Sequence, residues 1–582
     1  MDRRAAQMHE LELGHFRCSN LYPKIPRLIS RVFHARPELK TALARILFSR
    51  KNTTFVCYSE FESFDIILDK FSFTTFLSSM VPSFRPFLFA LCAFCAFSRL
   101  ATALLPITID GNMFVDSNGD PFVIVGVDYQ PGGSSGYSDS ASSDVLSDAD
   151  VCLRDAYLLQ KLGVNTIRTY TVSPWLNHDA CMSILNAVGI YLILDVNSPL
   201  AGESIYRDDP ASSYNAEYLK RVFSIVDAFK GYPNLLGFFA GNEVFNDATS
   251  ASVSPPYIRA VQRDIKNYIS LHANRTIPVG YSAADDTTLR LAGWEYLQCD
   301  SDEQSLQVSR SDFYGLNSYQ WCSGRDTFQT SGYGALETIF VNSSIPLFFS
   351  EFGCNLVQPR TFTEINGGVY IESMLSVFDG GLVYEYSEED NNYGLVKIAS
   401  DGSVTLKQDY VNLQSAYANM TYTSFMSKSF IDVDGPSACN ATYIESIDPT
   451  FNASFSLPPC PAEDMLTSGS GNNNIGKWIP LNSTQTTYAI YDVNNQEISN
   501  TDITVVSNQT EPEGQPSMTN PALVSPTSPA PSTIAVSNSS QSTTSSASTS
   551  ATSSSAATAT LLGAANPFLL AVSGLLGITL VL

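Results

Sequence analysis

Between residues 104 and 425, short apolar runs rich in β-branched and aromatic residues alternate with longer amphipathic stretches. The runs are FVIVGVDYQ (122–130), NTIRTY (165–170), IYLILDV (190–196), LLGFFAGNEV (235–244), TIPVGYSA (276–283), DFYGLNSY (312–319), IPLFFSEFG (345–353) and GGLVYEYSE (380–388). Stretches such as LSDADVCLRDAYLLQKLG and SPPYIRAVQRDIKNYISLH supply helical spacing between them. Near-continuous apolar runs separated by helices mark parallel strands buried on both faces. Eight of them predict an α/β fold, a (β/α)8 TIM barrel, in preference to an open doubly wound sheet. An open nucleotide-binding sheet would also ask for a Gly-rich phosphate loop after its first strand, and no G-x-G-x-x-G occurs.

Polar and aromatic residues collect at the far ends of these runs: Asp128 and Tyr129, Tyr170, Asp195, Asn242 and Glu243, Tyr319, Glu351, Tyr384 and Tyr386. In a barrel those ends meet at one mouth, where active sites are built. Glu243 and Glu351 are carboxylates that each follow an apolar run, and such a pair suits glycoside chemistry. One, held protonated, donates to the leaving oxygen while the other attacks the anomeric carbon. Tyrosine rings on the rim suit sugar faces. Each residue also has a plainer reading, since a lone Glu after a strand is usually a solvated loop residue and a lone Tyr usually core. Two such Glu residues, one preceded by Asn242, favour catalysis.

Two other chemistries find weaker support in the sequence. GGSSG (132–136) has the G-x-S-x-G form, but a nucleophile elbow needs a helix directly after the serine, and SGYSDSASSD reads as a loop. Only His178 and His272 follow residue 103 to serve as its base. Two histidines so far apart supply no metal-binding cluster either, so no metal and no cofactor is expected.

The stretches YQPGGSSGY, NTIRTY, LNHDACM, YPNLLGFFAGNEV, IPVGYSAADD, YGLNSYQWC, FFSEFGCNLVQPRTF and GGLVYEYSEEDNNYGLV follow one another in order. Through them, residues 105–425 resemble the fungal cell-wall β-1,3-glucanosyltransferases of glycoside hydrolase family 72. The resemblance implies a (β/α)8 barrel that cleaves β-1,3-glucan internally, keeps one part as a glycosyl-enzyme and passes it to another glucan's end. It implies Glu243 as acid/base, Glu351 as nucleophile, Asn242 as partner of the 2-hydroxyl and Tyr319 as the residue positioning the nucleophile. Gln130, Tyr170, Asp195 and Tyr384 are implied as donor or acceptor subsite residues. It also pairs Cys152 with Cys181 and Cys322 with Cys354; Cys299 should pair with a cysteine after the barrel, Cys439 by position, leaving Cys460 without a partner. YTVSPWLNHD departs from the family pattern at Ser173, where an Asp is usual. With two cysteines after residue 425, the chain resembles the subtype lacking a cysteine-rich glucan-binding module. Expected partners are donor and acceptor glucan chains, with the chain a monomer. A hydrolytic β-1,3-glucanase and an inactive wall-anchored glucan-binding protein remain the alternatives.

Composition changes the picture at both ends. Residues 81–103 combine one Arg, an apolar run and Ala101-x-Ala103, the build of a secretory signal. The expected boundaries are therefore a basic extension at 1–79, a signal peptide at 80–103, the barrel at 104–425 and an ancillary or linker region at 426–515. Met80 stands as the start, or 1–79 is dispensable; a signal anchor with a cytosolic tail is the competing reading. No charged side chain occurs from Pro516 onward. A Ser/Thr-rich stalk (516–562) and an apolar tail (563–582) match a GPI-anchor signal, with a tail-anchored helix as the alternative. The expected location is thus the secretory route, the outer face of the cell membrane and the cell wall. After residue 103 the chain holds 19 basic and 49 acidic residues, a formal charge of −30, which excludes nucleic acid as a partner. Sequons at Asn274, Asn342, Asn419, Asn440, Asn452, Asn482, Asn508 and Asn538 fit a secreted glycoprotein.

Overall fold

A computed structural model of the chain describes residues 104–420 and 435–506, together with the strand residues Arg50–Lys51 and Thr54–Phe55. Apart from those four strand residues, the expected N-terminal extension lies outside the described residues, as do the signal, stalk and apolar tail.

Each apolar run contains one strand, and the eight strands close into a single parallel barrel. They are β1 (Ile124–Asp128), β2 (Thr166–Thr169), β3 (Tyr191–Asp195), β4 (Leu235–Asn242), β5 (Val279–Ala284), β6 (Tyr314–Ser318), β7 (Leu347–Phe352) and β8 (Gly380–Val383). Neighbours in sequence are neighbours in space, and β8 shuts the ring by setting Gly380 opposite Ile124. The chain is thus an α/β protein of the (β/α)8 TIM-barrel class.

Helices α1 (Ala149–Leu162), α2 (Asp179–Ala187), α3 (Ala216–Phe229), α4 (Pro255–His272), α5 (Arg290–Gln298) and α6 (Tyr333–Phe340) follow β1 to β6. Local sequence sets their limits. The Asp148 side chain accepts from the Asp150 and Val151 amides to start α1, and Gly163 ends it at φ 88°. Asn215 caps α3 in the same way through the Tyr218 amide.

The bottom of the barrel is filled with aromatic rings. A hairpin of Thr108–Asp110 and Met113–Val115 pushes Phe114 up against Phe313 and Phe348, with ring centroids 5.8 and 5.9 Å away. Room for Phe313 depends on glycine. A Cβ on Gly280 would stand 2.4 Å from that ring, and one on Gly237 2.9 Å from it.

Residues 435–506, the described part of the region 426–515 expected as ancillary or linker, run back over the barrel. Ile490–Tyr491 adds a parallel strand beside Val404–Leu406, and Phe451, Ala453 and Ile490 are buried in the main core. Asn472 donates to the carbonyls of Pro174 and Ser224, and the Lys477 amide donates to Asp179. The Cys299–Cys439 disulfide ties the start of this strap to the end of α5, while Cys152–Cys181 joins α1 to α2. Cys322–Cys354 links the loops after β6 and β7, and Cys460 is free. Asn274, Asn342, Asn419, Asn440 and Asn482 are exposed, Asn452 is half-buried, and Asn508 and Asn538 lie outside the described residues.

Candidate active site

Glu351, the penultimate residue of β7, receives three donors. Arg168 Nη1 and the Tyr170 hydroxyl reach Oε1 at 3.2 and 2.9 Å, and the Tyr319 hydroxyl reaches Oε2 at 2.7 Å. Burial raises the pKa of both tyrosines well above the ordinary phenol range, and nearby carboxylates push further, Glu351 among them, so both remain donors. The convergence of donors suits an acceptor-only carboxylate.

Glu243 follows the last residue of β4 with φ 47°, a left-handed backbone that ends the strand and re-aims the side chain. Such a conformation costs a non-glycine residue about 1 kcal/mol. Its amide donates to the Ser282 carbonyl at 2.8 Å, and its Oε1 accepts from Asn317 Nδ2 at 2.8 Å. Burial raises its pKa, and the neighbouring Glu351 charge adds to that. The Asn317 hydrogen bond, Arg207 and Arg168 oppose. A half-buried carboxyl that resists ionisation beside one held by three donors is the division of labour that glycoside cleavage requires.

Two residues join the carboxylates. Asn317 Nδ2 donates to Asn242 Oδ1 at 3.1 Å as well as to Glu243, and Arg168 Nη2 donates to the same Asn242 oxygen at 2.9 Å. The order Glu243–Asn317–Asn242–Arg168–Glu351 is therefore one continuous hydrogen-bond chain. Ser282 and Ser350 donate to Asn317 Oδ1 from the next strands on either side, fixing which end of that amide faces the site. None of Arg168, Asn317, Ser282 or Ser350 was singled out from the sequence. The available signal was a charged residue inside the apolar run NTIRTY, because a buried guanidinium must find partners.

Gln130 and Asp195, implied as subsite residues, are both hydrogen-bonded to neighbouring protein groups. Asp195 is buried and spends both oxygens on Arg168, at 2.9 and 3.2 Å. Gln130 is also buried, and its Oε1 accepts from the Tyr170 and Thr171 amides, so it holds the loop after β2. Tyr384 is half-buried in an aromatic wall with Tyr170, Tyr319 and Tyr393, at centroid distances of 6.4, 6.1 and 5.2 Å. Asp128 lies fully buried among these groups with neither oxygen hydrogen-bonded. Burial raises its pKa well above the carboxylate range against the pull of Arg168.

The G-x-S-x-G loop is no nucleophile elbow. Ser134–Gly136 forms one short turn, and α1 begins only at Ala149. His178 is spent on Asp144 and His272 on the Leu466 carbonyl. Asp144 also receives the Ser173 amide at 2.7 Å, which gives the residue at the departure from the family pattern a buried structural contact.

The glucanosyltransferase family model, that of glycoside hydrolase family 72, matches residues 96–421. The chain belongs to that family. Among its relatives, the probable 1,3-beta-glucanosyltransferase GAS3 of Saccharomyces cerevisiae is 50% identical over 424 residues, covering 70% of this chain and 80% of the relative. The 1,3-beta-glucanosyltransferase gel2 of Aspergillus fumigatus is 47% identical over 419 residues, covering 71% and 86%. A solved structure of Saccharomyces cerevisiae Gas2p, a glutamate-to-glutamine mutant in complex with laminaritetraose and laminaripentaose, matches with a TM-score of 0.54 and 40% identity over 62% of this chain and 76% of that one. Within this family 72 chain the matched span contains the whole hydrogen-bond chain from Glu243 to Glu351.

Proposed function

We propose that this chain is a retaining 1,3-β-glucanosyltransferase in which Glu351 is the nucleophile and Glu243 the acid/base. The observation that carries the reading is the contrast between the two carboxyls: three donors aimed at Glu351, and burial raising the pKa of Glu243. In the first step a Glu351 oxygen attacks the anomeric carbon of an internal β-1,3-glucan residue. The bond to the leaving 3-oxygen breaks, and Glu243 gives that oxygen its proton. In the second step the non-reducing end of another glucan enters. Glu243 takes the proton from its 3-hydroxyl as that oxygen displaces Glu351, and a new β-1,3 bond forms with retention. Asn242, already oriented by Arg168 and Asn317, serves the 2-hydroxyl of the reacting sugar. Tyr170 and Tyr319 position Glu351, and Tyr384 supplies a ring for the glucan. Gln130 and Asp195 act through Tyr170 and Arg168.

The enzyme is read as a monomer on the secretory route, held at the outer membrane face and cell wall by a GPI anchor on the stalk. Signal 80–103 and tail 563–582 are removed in this reading.

Incubating the protein with reduced laminari-oligosaccharides tests the activity. Products longer than the substrate support transfer. Shorter products alone mean hydrolysis, and an unchanged substrate means a binding protein; either result overturns the reading.

A further inference from the structure

One basic group at the mouth has no task in this mechanism. Arg207 stands on the loop between β3 and α3 and is half-buried, yet among the described residues no hydrogen bond or ion pair occupies its guanidinium. Arginines withdrawn from solvent elsewhere in the described residues are engaged: Arg168 and Arg360 by carboxylates, Arg259 and Arg275 by backbone carbonyls. A guanidinium partly stripped of water normally finds acceptors, because its five donors are costly to leave unmade.

The loop presenting Arg207 is fixed on both sides. The Ser198 amide donates to the Glu203 carbonyl at 3.1 Å, and Glu203 pairs with Arg221 of α3 at 2.9 Å. The Tyr206 amide donates to Ser213 Oγ at 2.8 Å, and the Asp209 amide to the Tyr206 carbonyl at 3.1 Å. The groups that feel its charge sit on β5 and on the loop after β4: Tyr281, Glu243 and Asp247. Neither carboxylate captures it. Glu243 is bonded to Asn317, and Asp247 caps the turn at Ala248–Ala251. The loop carrying Arg207 follows β3, which pairs directly with β4, the strand that Glu243 follows. Arg207 therefore stands on the Glu243 side of the mouth, while Arg168, Tyr170 and Tyr319 serve Glu351.

In a retaining site the acid/base flanks the oxygen that leaves and, in the second step, the oxygen that arrives. We infer that Arg207 binds the acceptor sugar, donating hydrogen bonds to hydroxyls of the residue whose 3-hydroxyl Glu243 deprotonates, and so favours sugar over water in resolving the glycosyl-enzyme. The inference rests on the transferase reading above. Sugar hydroxyls are acceptors that a planar five-donor fork can engage in pairs, which a lysine ammonium matches less well.

The test compares the full-length chain with Arg207→Ala and Arg207→Lys on reduced laminari-oligosaccharides, scoring longer against shorter products across pH. The ratio of transfer to hydrolysis falls about tenfold in Arg207→Ala, with a raised KM for acceptor. Arg207→Lys recovers part of that ratio. The groups facing Glu243 are Glu351, Asn317, Arg168, Arg207 and the Tyr281 phenol of β5. Loss of the Arg207 charge alone raises the Glu243 pKa, so the alkaline limb of activity moves upward in Arg207→Ala and stays put in Arg207→Lys. An unchanged product ratio in Arg207→Ala, or an equal fall in both products, overturns the inference while leaving the transferase reading intact. A wild-type chain that makes no longer products overturns both.

Discussion

The two ends of the barrel are built from the same eight strands and obey opposite rules. At the bottom, Ile124, Ile193, Leu236, Phe313, Phe348 and Leu382 pack around Phe114 with no charge among them. At the mouth, buried Arg168, Asp195, Asn317 and Glu351 and half-buried Asn242 form a polar network. Arg168 marks the boundary. Its guanidinium lies 4.6 Å from the Phe239 ring centroid below and 4.3 Å from that of Tyr170 above, while its nitrogens reach four acceptor groups. The apolar end gains stability from area removed from water and is indifferent to which atom touches which. The polar end holds only if every donor has its acceptor, so its geometry is specified far more narrowly.

Neutralising one carboxyl at the mouth removes its chemistry and leaves the apolar bottom untouched. Glu351→Gln and Glu243→Gln are each expected to lower transfer by about 10³-fold, measured as initial rate on laminari-oligosaccharides. Folding should survive both. Glu243 has its pKa raised in the fold, so its charge opposes folding once pH passes that value. Glu243→Gln should therefore melt no lower than wild type at neutral pH, by thermal unfolding. A variant of either Glu that keeps wild-type rates would sink the assignment.

A matched pair of substitutions then tests the two rules directly. Arg168→Met leaves Asp195 buried without its cation and should destabilise the fold by about 3–5 kcal/mol, with activity lost in the molecules that do fold. Phe313→Ala opens a cavity in the bottom cluster and should cost a similar amount, about 3–5 kcal/mol. Its folded fraction should nevertheless turn over within about twofold of wild type. Denaturant melts combined with rates per folded molecule separate the cases. If Phe313→Ala also abolished turnover, the two ends would be coupled and not independent.

The bottom rule is legible in a sequence and the mouth rule is only half legible. A strand needs nothing but a local apolar run, and all eight runs contain barrel strands. Glu243 and Glu351 were visible because each interrupts such a run at its end. Arg168 was not, because its meaning lies in partners 27, 74 and 183 residues away. Asn317 was hidden for the same reason, reading as one polar residue in YGLNSY until Asn242 and Glu243 stood beside it. The family resemblance implied Gln130 and Asp195 as subsite residues, yet their protein partners lie in other strands and loops and could not be read from the motifs. Gln130 accepts from the Tyr170 amide, and Asp195 from the Arg168 guanidinium. The strap at 435–506 was unreadable because it has little periodicity, and its attachment is through polar turns and a few buried apolar residues.

The subtlest expectation concerns a carboxyl just outside the network. Glu364 is fully buried, accepts from Ser323 through Oε2, and has no partner for Oε1; burial pushes its pKa up to about 7 from an ordinary 4.5. Between those values the folded protein holds a proton that the unfolded chain has released. The group's contribution to stability is therefore complete below about pH 4.5 and is lost as pH rises through about 7. Glu385 follows the same course, also raised to about 7 mainly by burial. Wild-type stability should fall across this window, and Glu364→Gln should flatten the fall by up to roughly 3 kcal/mol above pH 8 while changing nothing at pH 4. Melts at half-unit pH steps measure the slope. A slope identical in Glu364→Gln would mean that water or a neighbour compensates the buried charge, and that polar groups just outside the network escape the rule that governs it.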